Sequence, residues 1–125
     1  MNKENLQKMA DYIKTIPQNM FDMNTYRDGQ THLPECDSVG CILGHCTILD
    51  DKIDNKGYIN FSQWGEKFTG IDENDSEWDW CFHSLWASSD NTPLGASKRI
   101  EWLIKHGLPY DWREQMWGEE PLRYN

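Results

Sequence analysis

Apolar side chains recur along this chain mostly at helical spacing, with brief stretches of alternation between. Leu6, Met9, Ala10, Ile13 and Ile16 follow the three-and-four rhythm of one helix face and Pro17 stops the run, so residues 3 to 15 are expected as a first helix. The segment Phe21-Asp22-Met23-Asn24-Thr25-Tyr26 alternates apolar with polar, which predicts a short extended piece on the core ahead of a polar loop from Arg27 to Glu35. From Ser38, placed as an N-cap, Val39, Ile42, Cys46 and Leu49 return to helical spacing. Gly40 and Gly44 leave a bare strip on one side of that helix, which admits another element close to the backbone. A charged turn over residues 50 to 57 follows, then a brief extended Tyr58-Ile59. Asn60 and Gln63 have the form of a capping box, opening a helix that turns Phe61, Trp64 and Phe68 inward and ends at Gly70.

The strongest period belongs to Trp78, Cys81, Phe82, Leu85 and Trp86, which predict one continuous helix. Asp72, Glu73, Asp75, Glu77 and Asp79 gather at its N-terminal end, where the helix dipole favours negative charge. Thr92-Pro93 supplies an N-cap and an N1 proline, Ile100, Leu103 and Ile104 a buried face, and Gly107 a stop before Pro109. Asp111 to Trp117 is expected as one short helix. The expectation is therefore mainly α: a single domain over residues 1–125, about five helices around one aromatic core with at most a minor extended element, and a loosely held tail at 118–125. An α+β arrangement is the alternative.

Composition narrows the function classes. At 125 residues the chain fits one domain, and seven Trp, five Tyr and four Phe supply a folded core although apolar residues make up only 38%. A formal net charge of -9 disfavours direct binding to nucleic acid and to anionic lipid. The N-terminus lacks the apolar run of a signal peptide and no stretch is long enough to span a membrane, so a cytoplasmic protein is expected. Thiols stay reduced there, and the four cysteines read as buried side chains, ligands or nucleophiles before disulfides.

Four candidate sites can be weighed. His32, Cys36, Cys41 and His45 bring four ligand-type side chains together, with Cys41 and His45 on one helix face at i and i+4, which makes structural zinc or a reactive thiol centred on Cys36 and Cys41 the alternative to a close-packed core helix. The loop from Lys52 to Gln63 has the outline of a calcium loop, but Lys52, Lys56 and Gln63 stand where oxygen ligands belong, which speaks against calcium. The acids Asp72, Glu73, Asp75, Glu77 and Asp79 would suit a basic partner. Trp80, Trp102, Trp112 and Trp117 fall off the apolar faces, and Trp112 and Trp117 are candidate partner-binding residues.

Phe21-Asp22-Met23, Cys36-x-Ser38-Val39-Gly40-Cys41-Ile42-x-Gly44, Phe82-x3-Trp86, and Thr92 with Ala96 and Arg99-Ile100 recur in this order between Met20 and Leu108. In these motifs the chain resembles a family of short uncharacterised proteins of tailed bacteriophages and prophages. Other members often carry Trp at the position of His45, which argues against an obligatory metal ligand there. The family has no activity to carry over. The resemblance implies a viral or mobile-element origin and a protein partner, from the host or the virus, ahead of a metabolic role. No catalytic motif is present, and the expectation is a non-enzymatic binding protein that needs no cofactor, able to inhibit a host defence or nucleic-acid-handling protein.

Overall fold

The computed structural model describes residues 1–23, 41–50 and 61–118, and all that follows refers to them. They are mainly helical: α1 (Lys3–Ile13), α2 (Ile42–Cys46), α3 (Phe61–Thr69), α4 (Ser76–Phe82), α5 (Trp86–Ser89), α6 (Pro93–His106) and α7 (Trp112–Trp117), with 3-10 turns at Gln18–Met20 and Thr47–Leu49. Among the described residues there is no strand or sheet. No helix in them is long and apolar enough to cross a membrane.

Helices α1 and α6 form the central seam. The i, i+3, i+4, i+7 set of α1 (Leu6, Met9, Ala10, Ile13) is sealed, as are Ala96, Ile100 and Leu103 of α6. Each such Leu or Ile contributes about 1.5–3 kcal/mol through lost apolar exposure. The polar residue inside the seam is satisfied: Ser97 Oγ donates to the Ala10 carbonyl at 2.8 Å. Capping follows the sequence. Asn2 accepts from the Asn5 N–H at 2.9 Å, Thr92 accepts from the Gly95 N–H at 3.0 Å behind Pro93, and Gly107, at φ 78°, ends α6 with its N–H on the Leu103 carbonyl. Helix α3 joins the start of α1 through Asn5 Nδ2, which donates to the Phe68 carbonyl at 2.8 Å. It also meets Trp78 and Leu43 so closely that a Cβ on Gly65 would stand 2.7 Å from the indole and 2.8 Å from the Leu43 methyl. Glycine at 65 is thus a packing requirement rather than a turn signal.

Three expectations need correction. The continuous helix through Trp78 and Trp86 is broken: α4 ends at Phe82, His83 adopts extended backbone (φ -67°, ψ 139°), and α5 restarts at Trp86. The cause is local. His83 Nδ1 accepts the Leu85 N–H at 2.9 Å, offering the backbone a bond that competes with the helical ladder. Apolar spacing continues across the break because both pieces face the same core. This split raises the helix number above the expected five. The helix expected from Ser38 starts later: Cys41 is its extended N-cap residue (ψ -172°), and α2 is one turn and a half before tightening into 3-10 geometry. Gly118, assigned to the tail, is the left-handed cap of α7, its N–H on the Gln115 and Glu114 carbonyls. Asn24 to Gly40, including Ser38 and Val39, lies outside the described residues, as do the calcium-like loop from residue 52 to Asn60 and the tail from 119 to 125.

Candidate partner-binding groove

The face of α6 flanking the seam carries Gly95, Lys98, Arg99 and Trp102, again at i, i+3, i+4 and i+7. With Trp80 of α4, Asp90, Pro109 and Gln115 of α7 these residues line a cavity of about 280 Å³. Trp102, in the cavity lining, is 49% exposed, and Leu94, Trp117 and Tyr110 elsewhere on α6, α7 and the segment between them are exposed as well. Trp102 packs on His106 with ring centroids 4.3 Å apart. Exposed Trp is the most costly side chain to leave in water and among the most favoured at binding hot spots.

At the cavity wall stands a buried cation. Arg99 is only 5% exposed, and its guanidinium lies 4.0 Å from the centroid of Trp86. Its Nη1 donates to Asp90, at 3.3 Å to Oδ2 and 3.4 Å to the main-chain carbonyl. Nε and Nη2 are buried with no hydrogen-bond partner. An unpaired buried donor costs about 1–3 kcal/mol, more on a charged group. Burial pulls the Arg99 pKa down to about 10 against the opposing pull of Asp90, which still leaves the group charged at neutral pH. Asp90 is itself held: Oδ1 accepts from Thr92 Oγ1 at 2.6 Å. Its carboxylate presses so near α6 that a Cβ on residue 95 would sit 2.0 Å from Oδ2, which is why glycine occupies that place. Trp80 lines the cavity too, its Nε1 donating to the Arg99 carbonyl at 2.8 Å, and Trp86, behind the guanidinium, is held by its Nε1 donating to the Asp79 carbonyl at 3.1 Å. Helix α7 is tied to α5 where Ser89 Oγ donates to the Met116 carbonyl at 2.7 Å.

The residues marked in the sequence fall in separate places. Trp117 is exposed on α7, and Trp112 is half-buried with Arg113 5.1 Å over its ring. Trp80, unassigned to any apolar face, is buried at 3% exposure because α6 closes over the side of α4 that the period left out. Asp72, Glu73 and Asp75 are exposed on the turn before α4, while Glu77 and Asp79 are half-exposed in its first turn. The turn is internally bonded, the Asn74 N–H on Asp72 Oδ1 at 2.8 Å and the Glu73 N–H on Glu66 Oε2 at 3.0 Å.

Of the proposed zinc set, His32 and Cys36 lie outside the described residues. Cys41 is buried, and desolvation lifts its pKa to about 11, so the thiol is neutral at physiological pH. Cys46 is raised too, by burial and by the neighbouring Cys41. His45 is buried with Nε2 bonded to the Met20 carbonyl, a contact that needs the proton on Nε2 and occupies that nitrogen. Cys41 stands at the N-cap, one position before the helix that carries His45. Among the described residues no three His, Cys, Asp or Glu side chains converge as a metal site.

Sequence reasoning passed over Arg99, Asp90 and Gly95. The one signal available was Arg99 sitting between Ala96, Ile100 and Leu103, a charge on the flank of a buried stripe. Asn91 was passed over as well: its side chain accepts the Met23 N–H at 2.7 Å and donates to Asp22 at 3.3 Å, pinning the Phe21-Asp22-Met23 segment beside the groove's Asp90. Comparison of the chain with protein-family models, with curated proteins and with solved structures finds no match.

Proposed function

We propose that the chain acts by binding a protein, of host or viral origin, and does no chemistry of its own, with the groove between α6 and α7 as its contact surface. The observation that carries this reading is a cavity of about 280 Å³ with the half-exposed Trp102 in its lining. Aromatic anchors beside a concavity are where interfaces concentrate their energy. The phage-type resemblance supports a bacterial cytoplasm as the setting and interference with a host defence or nucleic-acid-handling protein as the outcome. The exposed acids Asp72, Glu73 and Asp75 add attraction for a basic partner at longer range.

The test is recovery of a stoichiometric partner from bacterial lysate, followed by titration of the purified partner against the wild-type chain and a Trp102→Ala/Trp117→Ala variant. Affinity should fall by about thirtyfold or more, as for hot-spot Trp residues. A double variant that binds as tightly as the wild type places the contact elsewhere. Binding lost instead with Asp72→Asn/Glu73→Gln/Asp75→Asn would move it to the acidic turn. Metal analysis of the same preparation addresses the zinc alternative: one equivalent supports it and a trace removes it.

A further inference from the structure

We infer that the groove receives a carboxylate of its partner, a polypeptide chain end on an apolar residue, seated on the Nε/Nη2 edge of Arg99. This deepens the binding function proposed above and rests on it. A guanidinium presents its donors in one plane, and the edge formed by Nε and one Nη offers two parallel N–H groups that match the two oxygens of a carboxylate. In Arg99 the remaining nitrogen, Nη1, is committed to Asp90, while Nε and Nη2 lack partners. The Trp86 ring lies against the guanidinium at 4.0 Å, which leaves in-plane approach for an anion.

The charges near the edge select among anions. Lys98 and Arg99 contribute two positive charges to the cavity lining and Asp90 one negative, which suits a monoanion better than a phosphate dianion. The other walls, Trp80, Trp102 and Pro109, are apolar and ask for an apolar side chain next to the charge. At about 280 Å³ the space suits a single residue and not a long peptide. Nε and Nη2 are out of contact with solvent, so entry requires a wall side chain to swing away. Trp102 and Gln115 are the exposed lining side chains beside Lys98, with solvent to move into.

The full chain, with its Arg99 Nε–H resonance followed by nitrogen-edited NMR, is titrated with N-acetylphenylalanine, with its carboxamide and with inorganic phosphate. The free acid should shift that resonance and bind about tenfold or more tightly than the amide, which cannot accept two charge-assisted bonds; phosphate should bind more weakly than the acid. Lys98→Ala, an exposed position, should weaken the acid about threefold and leave the amide unchanged. Arg99→Lys keeps the charge but loses the fork, and should abolish the preference for the acid. Equal binding of acid and amide, an unmoved Arg99 resonance, stronger binding of phosphate, or no binding of the acid would each overturn the inference. Those failures leave the broader reading standing if Trp102→Ala/Trp117→Ala still costs partner affinity, so the two can be told apart.

Discussion

On the side of α6 that meets α1, Ala96, Ile100 and Leu103 are sealed from water, and the polar Ser97 finds a carbonyl at 2.8 Å. On the flanking face of the same helix, Trp102 is half exposed and Arg99 is buried with two N–H groups unmatched. The helix propensities and caps are common to both faces, so the difference arises from what each face meets. The α1 side follows the ordinary rules of a core, with complementary apolar surface and every polar group paired. The groove side breaks two of them, by burying unpaired donors and by leaving a large ring in water. Departures of that kind, concentrated on one side of one helix, are expected where a surface answers to a ligand as well as to folding.

The largest break in this contrast comes from the sealed face. Ile100→Ala or Leu103→Ala should cost about 2–5 kcal/mol in urea unfolding, because neither site has solvent to fill the space left behind. Alkali should act next. The thiols of Cys41, Cys46 and Cys81 are pushed above the ordinary 9.0, to about 11 for Cys41 and about 12 for Cys81, by burial. Unfolded thiols release their protons above pH 9 while folded ones keep them, so stability is constant below that pH and falls as pH rises. The fall should be roughly 1 kcal/mol per thiol between pH 9 and 10. Arg99, lowered to about 10 from 12.5, works in the opposite sense above pH 10, since there the unfolded chain binds the extra proton. The curve of stability against pH should therefore be steepest between 9 and 10 and flatten above, and a curve without that bend would show that Arg99 keeps its proton through this range.

On the groove side, Asp90→Ala and Gly95→Ala should each cost about 2–3 kcal/mol, discounted from the cost of breaking a fully buried pair because the Asp90 side chain is 42% exposed. Both changes withdraw the same carboxylate from Arg99, so the double variant should cost about as much as either alone, and additivity in the cycle would mean that the two positions act separately. The smallest effect on stability belongs to Trp102→Ala, about 0.5–1 kcal/mol, since the ring is half exposed and packs on the surface residue His106. If the same change removes partner binding, the two faces of α6 are separated by experiment: one holds the fold and the other the function.

The sealed face was legible in the sequence and the groove was not. Leu6, Met9, Ala10 and Ile13 announce their helix by period, and Thr92-Pro93 and Gly107 mark both ends of α6, because these signals act within a few residues. The break at His83 escaped that reading, since a side chain capturing a backbone N–H two residues on leaves the apolar rhythm intact. Arg99 escaped it because composition places arginine at the surface, and only the arrival of Trp86 and Asp90 makes its burial tolerable. The cavity draws residues from position 80 to position 115, so its existence depends on how four segments close together. Trp117 and Trp102 stood out as rings off the helical faces. That Trp102 lines a pocket containing a cation is a tertiary fact.

The contact between Asp90 and Gly95 has a consequence for sequence change over time. A Cβ at position 95 would run into the Asp90 carboxylate, so filling that position obliges the acid to turn away from Arg99. A lineage that keeps the ion pair keeps the bare α-carbon five residues later, and one that fills position 95 turns the carboxylate outward or shortens residue 90 and leaves Arg99 without its counterion. Related chains should thus show Asp with Gly at these positions or neither. A chain with Asp and Ala together would mark one in which that carboxylate no longer pairs with Arg99.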